Sequence, residues 1–152
     1  MTEAQSDLRE SLAEIQNKIA KRMRACARAP GEITLVAVSK THPAATIRAA
    51  LDLGINEFGE NRVQEADAKI MELGRAPARW HLIGHLQANK ARRAVKLFDV
   101  IQSLDSISLA QRLDRACGEE GRDELPVLIQ VDLAGEETKS GVAIAELPAL
   151  VE

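Results

Sequence analysis

The chemistry of this chain starts at a lysine. In ITLVAVSKTHP, residues 33–43, an apolar run stops at Ser39-Lys40 and a proline follows at Pro43. Alternation along a strand puts Lys40 on the face of Val36 and Val38, with Thr34 further back. If that face is interior, lost hydration favours the neutral amine, a nucleophile able to condense with an aldehyde as an imine. The alternative is a stem lying along the sheet end while the charge reaches water. Spacing alone leaves both open.

Other polar groups follow the remaining apolar runs. They are Gly59-Glu60-Asn61-Arg62, then His81 with IGHLQANK, then Ser103 and Asp105, and finally Asp132 with AGEETKSG. In parallel α/β folds functional groups gather where strands end and helices begin, so these segments predict one shared rim. His81 and His85 would share a zinc ion on a helix. WHLIGH reads as a strand, however, where four residues span roughly 13 Å, and it lacks the glutamate of the HExxH pattern. Asn61, three residues before Gln64, reads as a helix cap that can also face a ligand. GEETKSG, with Lys139, reads either as a phosphate-cradling turn or as a surface loop.

The elements that must hold these groups alternate. Leu8, Leu12, Ile15, Ile19, Met23 and Cys26 form one stripe, predicting a helix over 3–28 capped by Thr2 with Gln5 and broken at Pro30-Gly31. ITLVAVS, INEFGE, WHLIG, DVIQSL and PVLIQVDL read as five strands. PAATIRAALDLG, NRVQEADAKIMELG, NKARRAVKLF, SISLAQRLDRACG and AELPALVE read as the helices after them, the first with Thr41 as its cap and Gly54 at its end. Strand–helix alternation with short connections predicts βαβ units and a parallel sheet. GxGxxG and GxxxxGK[ST] are both absent, which disfavours a nucleotide-binding open sheet. A full barrel needs about eight units and ~250 residues, so the chain is either an open sheet or part of a barrel.

Composition narrows the class. The chain has 152 residues, 45% hydrophobic and 28% charged, with a net charge of −3, enough for one domain with a core. That balance disfavours phosphate-neutralising nucleic-acid binding and a basic membrane-surface module. No apolar run approaches the ~20 residues of a membrane span, and MTEAQSDLRE lacks a signal peptide's basic and apolar regions. Cys26 and Cys117 form no CxxC pattern. Free thiols and the missing signal predict a cytoplasmic protein. With one Trp, two Phe and no Tyr, the core must be aliphatic.

Taken together, LVAVSKTHP, FGENRVQEA, WHLIGHLQANK, IQSLD and VLIQVDLAGEETKSG resemble the pyridoxal phosphate homeostasis protein family, in order and at similar separations over residues 33–142. Members of that family resemble the barrel domain of alanine racemase standing alone. The resemblance implies an α/β fold of parallel β/α units from a TIM-type barrel, with about five of eight strands present. Residues 1–152 would then be a single partial-barrel domain, with 1–30 as a helix packing on it. It further implies that Lys40 carries pyridoxal 5′-phosphate (PLP) as an imine and that Asn61 lies beside the cofactor. His81, Ser103 and Lys139 are carried over as rim candidates.

The departures also count. Family chains continue past residue 152 with a Ser/Gly-rich segment and an Arg-Gly turn that hold the cofactor phosphate; the expectation is that this C-terminal part is missing here. Each charge-assisted hydrogen bond lost is worth roughly 1.5–3 kcal/mol, which would weaken PLP retention. The family's asparagine on the fifth strand is Asp132 here, and His42 stands where bacterial relatives often have lysine. The edge of PVLIQVDL would be exposed, inviting self-association in a family of monomers.

The expected function is a non-catalytic PLP-binding protein of vitamin B6 homeostasis, with at most weak racemase-type activity. PLP is its small-molecule partner, and neither nucleic acid nor membrane is expected. The alternatives are a PLP-dependent racemase-like enzyme and a cofactor-free interaction module. Related racemases use a tyrosine as second base, which this chain lacks.

Overall fold

A computed structural model of the chain describes residues 3–29, 31–75, 77–134 and 140–151. Thr2, Pro30 and Lys139, which the sequence assigned to a cap, a helix break and the rim, lie outside the described residues. In chain order the elements begin with α1 (Glu3–Ala25), β1 (Ala37–Val38), α2 (Ala44–Asp52), β2 (Glu57–Glu60) and α3 (Val63–Leu73). β3 (Arg79–Leu82), a 3-10 turn (Ala88–Lys90), α4 (Ala91–Leu97), β4 (Val100–Leu104) and α5 (Ile107–Glu120) follow. β5 (Val127–Ile129), β6 (Val131–Asp132), β7 (Val142–Ala143) and α6 (Leu147–Val151) complete the described chain.

β1 to β5 form one parallel sheet in sequential order, as the strand–helix rhythm requires. Period-two alternation then sorts their side chains. One face carries Phe58, Trp80, Leu82 and Ile101, all buried under Ile47 of α2, Ala66 and Ile70 of α3, Val95 of α4 and Leu113 of α5. The Phe58 and Trp80 rings pack 5.7 Å apart at 35°. Each large apolar side chain buried there contributes about 1.5–3 kcal/mol. The opposite face carries Val38, Gly59 and His81 in one row, fixed by the Val38–Gly59 and Gly59–His81 pairings. Among the described residues no helix layer covers this second face at β1, where Val38 is 50% exposed.

Five expectations need correction. β1 is two residues rather than seven: it is an edge strand, and β2 begins only at Glu57, so residues 33–35 have no partner strand among the described residues. α2 is entered at Pro43 without a side-chain cap; Thr41 instead takes a left-handed φ of 67°. α3 is entered at Arg62 rather than Asn61, again without a side-chain cap. The fifth strand is broken at Gln130, whose N–H donates to the Leu104 carbonyl while its own carbonyl accepts from Val142. Beyond that point Val131 and Asp132 pair with Val142 and Ala143 in a separate two-stranded sheet. Finally, the α1 stripe is only partly used. Leu12 is buried and Leu8 packs on the core, but Ile15 and Cys26 are exposed.

α5 shows the expected local grammar. Ser106 accepts the Leu109 N–H at its start, and Gly121 adopts the left-handed conformation at its end. The outer edge strand β5 leaves Val127 and Leu128 exposed, as the sequence anticipated. No helix among the described residues is long and apolar enough to cross a membrane.

Candidate functional site

Lys40 follows β1 in the turn before α2, and it is exposed. Of the two readings that spacing left open, the structure shows the exposed one. The loss of hydration that an interior face would impose on the ammonium group is not found. Alternation places Val36, Val38 and Gly59 on one face, and contacts at Gly59 from Val36 and Ile83 agree. That face is open at β1, so the end of the strand is wet.

The backbone around Lys40 is held more firmly than its side chain. The Ser39 N–H donates to the Gly59 carbonyl, and the Ser39 hydroxyl donates to Glu60 Oε1 at 2.6 Å. Lys69, from α3, is buried and donates to the Ser39 carbonyl, Glu60 Oε1 and Glu65 Oε1, each at 2.7 Å. Glu65 Oε1 also accepts the Thr41 N–H. The Lys69 ammonium and this amide hold the Glu65 carboxyl below the usual carboxylate range. Glu60 is wholly buried, and its Oε2 finds no hydrogen-bond partner among the described residues. A buried carboxylate needs a cation at hand, and Lys69 supplies it.

Asn61 stands at the end of β2, packed closely against the end of β3. A Cβ built on Gly84 would lie 2.3 Å from the Asn61 carbonyl oxygen and 2.8 Å from its Cα, so only glycine permits this approach. Asn61, Arg62, Gln64, Gly84, His85 and Lys90 line a cavity of about 670 Å³. A second cavity of about 410 Å³ runs from Ile83 and His85 to Asp132 and Ser140. Both volumes fall within the roughly 300–1,000 Å³ of small-molecule sites. His85 belongs to both and bonds to Asp105 at 3.2 Å. Asp132 accepts the Ala134 N–H. Lys40 lines neither cavity.

His81 and Ser103 are not on the rim. His81 sits within β3, level with Gly59, and is 5% exposed. Its Nε2 lies 2.5 Å from Glu57 Oε2 and its Nδ1 lies 3.0 Å from Gln102 Nε2. With the Gln102 amide nitrogen facing Nδ1, that ring nitrogen accepts, and Nε2 carries the proton donated to Glu57. Ser103 is fully buried and donates to the Gly84 carbonyl at 2.7 Å, fixing the turn that contacts Asn61. The structure thus brings Asn61, Gly84 and His85 together, with Ser103 beneath. Lys40 is tied to the same region through Ser39, Glu60 and Lys69.

Lys69, Glu65, Glu57 and Gln102 do not stand out as site residues in the sequence, and Glu60 enters only as part of the Gly59-Glu60-Asn61-Arg62 segment. A signal existed for one of them. Lys69 falls three residues after Ala66 and one before Ile70, inside the buried stripe of α3, with Glu65 four residues earlier.

Several known proteins are similar to this chain. A family model described as "Alanine racemase, N-terminal domain" matches residues 11–152. A protein named pyridoxal phosphate homeostasis protein in Escherichia coli is 43% identical over 151 residues, covering 95% of this chain and 63% of the relative. Its namesake in Pseudomonas aeruginosa is 42% identical over 147 residues, covering 97% and 64% respectively. The chain therefore spans less than two thirds of these relatives. Among solved structures, PipY of Synechococcus elongatus with PLP bound is 48% identical, with a TM-score of 0.71, covering 88% of this chain and 64% of that one. An alanine racemase of Clostridium difficile shares the fold, with a TM-score of 0.62 at 13% identity over 80% of this chain and 33% of its own.

Proposed function

The chain belongs to the alanine racemase N-terminal domain family, and from that premise we propose that it binds PLP covalently at Lys40 and serves in homeostasis of that cofactor. The observation that carries this is the turn at Lys40: an exposed amine whose two neighbouring residues are fixed to a buried ion cluster. An aldehyde needs an accessible amine on a backbone that does not wander, and Lys40 meets both conditions. When bound, the cofactor would supply an aldehyde able to condense with Lys40 Nζ, with loss of water. Asn61 and the cavity it lines lie beyond the Ser39–Glu60 link and offer hydrogen-bonding groups to the ring. Arg62, His85 and Lys90 in that cavity favour an anionic group.

The similarity to relatives named for PLP homeostasis and to a structure holding PLP supports the ligand. Storage and delivery, with no turnover, is the activity proposed. Within residues 1–152 there is no tyrosine to act as a second base. Residues 1–152 act as one partial-barrel unit in the cytoplasm, engaging neither nucleic acid nor membrane. The exposed edge of β5 provides the route to self-association.

Titration with PLP followed by absorption tests the proposal. A visible band should develop in the intact chain and be lost in Lys40→Ala. Its persistence in Lys40→Ala would move the site elsewhere. Incubation of the loaded protein with L- or D-alanine should leave the enantiomer unchanged, and racemisation would refute the non-catalytic role.

A further inference from the structure

We propose that Lys69, acting with Glu65, is the positioning residue for Lys40: together they hold both peptide groups that flank its Cα, and so set where its amine can meet a cofactor aldehyde. The proposal rests on Lys40 being the PLP-bearing residue.

The connectivity is specific. The carbonyl of Ser39 belongs to the peptide preceding Lys40 and accepts from Lys69 Nζ at 2.7 Å. The N–H of Thr41 belongs to the peptide following Lys40 and donates to Glu65 Oε1. Lys69 Nζ bonds Glu65 Oε1 as well, at 2.7 Å, so one ion pair closes a ring around Lys40. An ammonium group has three donors, and all three are used here, the third on Glu60. Lys69 is 7% exposed, so water competes little for these bonds.

The Thr41 backbone shows what the ring does. Its φ of 67° is a left-handed conformation that a Cβ-bearing residue disfavours, and it persists only where surrounding bonds over-determine it. Glu65 supplies such a bond. The Lys40 side chain, in contrast, is exposed and takes no part in this network among the described residues, so its amine is accessible. A fixed Cα with a free amine is the arrangement a reversible covalent carrier needs. Glu60 extends the control: it receives Lys69 and the Ser39 hydroxyl and immediately precedes Asn61, so one ammonium group fixes the approach to both proposed cofactor residues.

The test compares Glu65→Ala, Glu65→Gln and Lys69→Met with the parent chain. Lys69→Met leaves Glu60 buried without a cation, so Glu65→Ala is the variant to rely on if that protein does not fold. In Glu65→Ala, the Thr41 amide should exchange with solvent faster by NMR. PLP should bind roughly ten- to a hundredfold more weakly, with altered circular dichroism in its absorption band, reflecting a displaced amine. Glu65→Gln keeps an acceptor for the Thr41 N–H and should recover most of the affinity. Folded Glu65→Ala protein with parental affinity and dichroism would overturn the proposal and reduce the cluster to a packing role. If the parent chain itself takes no PLP at Lys40, the functional proposal fails instead. The ring is then judged on the apo protein: unchanged Thr41 exchange in Glu65→Ala would refute it, and faster exchange would support it.

Discussion

Replacing Gly84 with alanine tests the closest approach in the candidate site. The added Cβ would sit 2.3 Å from the Asn61 carbonyl oxygen, 2.8 Å from its Cα and 2.9 Å from its carbonyl carbon. All three are backbone atoms, so relief requires the ends of β2 and β3 to move apart. Overpacking of this kind costs roughly 1–3 kcal/mol. Separation also strains the 2.7 Å bond from Ser103 to the Gly84 carbonyl, adding about 0.5–1.5 kcal/mol. For a domain of this size, about 2–4 kcal/mol lowers Tm by roughly 5–15 °C. Gly118 is the control. It lies within α5, and a Cβ added there would meet nothing within 4 Å, so Gly118→Ala should stabilise the chain by about 0.5–1 kcal/mol. Melting curves by circular dichroism, with urea midpoints, read both signs. Equal stability of Gly84→Ala and the parent would refute the close packing of Asn61 against Gly84.

Three further outcomes follow from the same structure. The Glu65 carboxyl has a lowered folded-state pKa, so its contribution is present above the unfolded value of 4.5 and lost as pH falls through the folded value; acid titration should be shallower below pH 4.5 in Glu65→Gln. Arg122 donates to the carbonyls of Val95 and Phe98 at 2.7 Å, capping the end of α4, so Arg122→Ala should cost about 2 kcal/mol in urea denaturation. Burial raises the Cys117 thiol pKa while Cys26 is exposed, so thiol-directed alkylation under native conditions should label Cys26 first; equal rates would contradict the packing around α5.

The sheet was legible because short strand-like segments alternate with helices of clear period, and parallel order follows from that alternation; only β4 and β5 are themselves rich in Val, Ile and Leu. Strand length was not legible at the edges. ITLVAVS has the composition of a seven-residue strand, but only residues opposite β2 find hydrogen-bond partners. PVLIQVDL likewise breaks where Gln130 exchanges one neighbour for another. Caps failed for a related reason. Thr41 and Asn61 have cap-forming side chains, yet Pro43 and Arg62 take those positions; at Thr41 the bond from its N–H to Glu65 holds the backbone instead.

The site was legible as a set of strand ends and less so as a constellation. The strand reading put His81 at the end of its strand and gave it no depth. Register places it level with Val38 rather than at the end of its strand, between Glu57 and Gln102. Ser103 escaped notice as a buried strut because its partner, the Gly84 carbonyl, is nineteen residues away. Lys69 was hidden for the same reason: its partners Glu60 and Ser39 lie nine and thirty residues back in the chain.

Borohydride reduction of the purified chain in the presence of PLP, followed by intact mass and peptide mapping, tests the central claim most directly. One adduct per chain on the peptide containing Lys40, absent from Lys40→Ala, is the predicted result. No adduct, or modification scattered over the surface lysines, would contradict it.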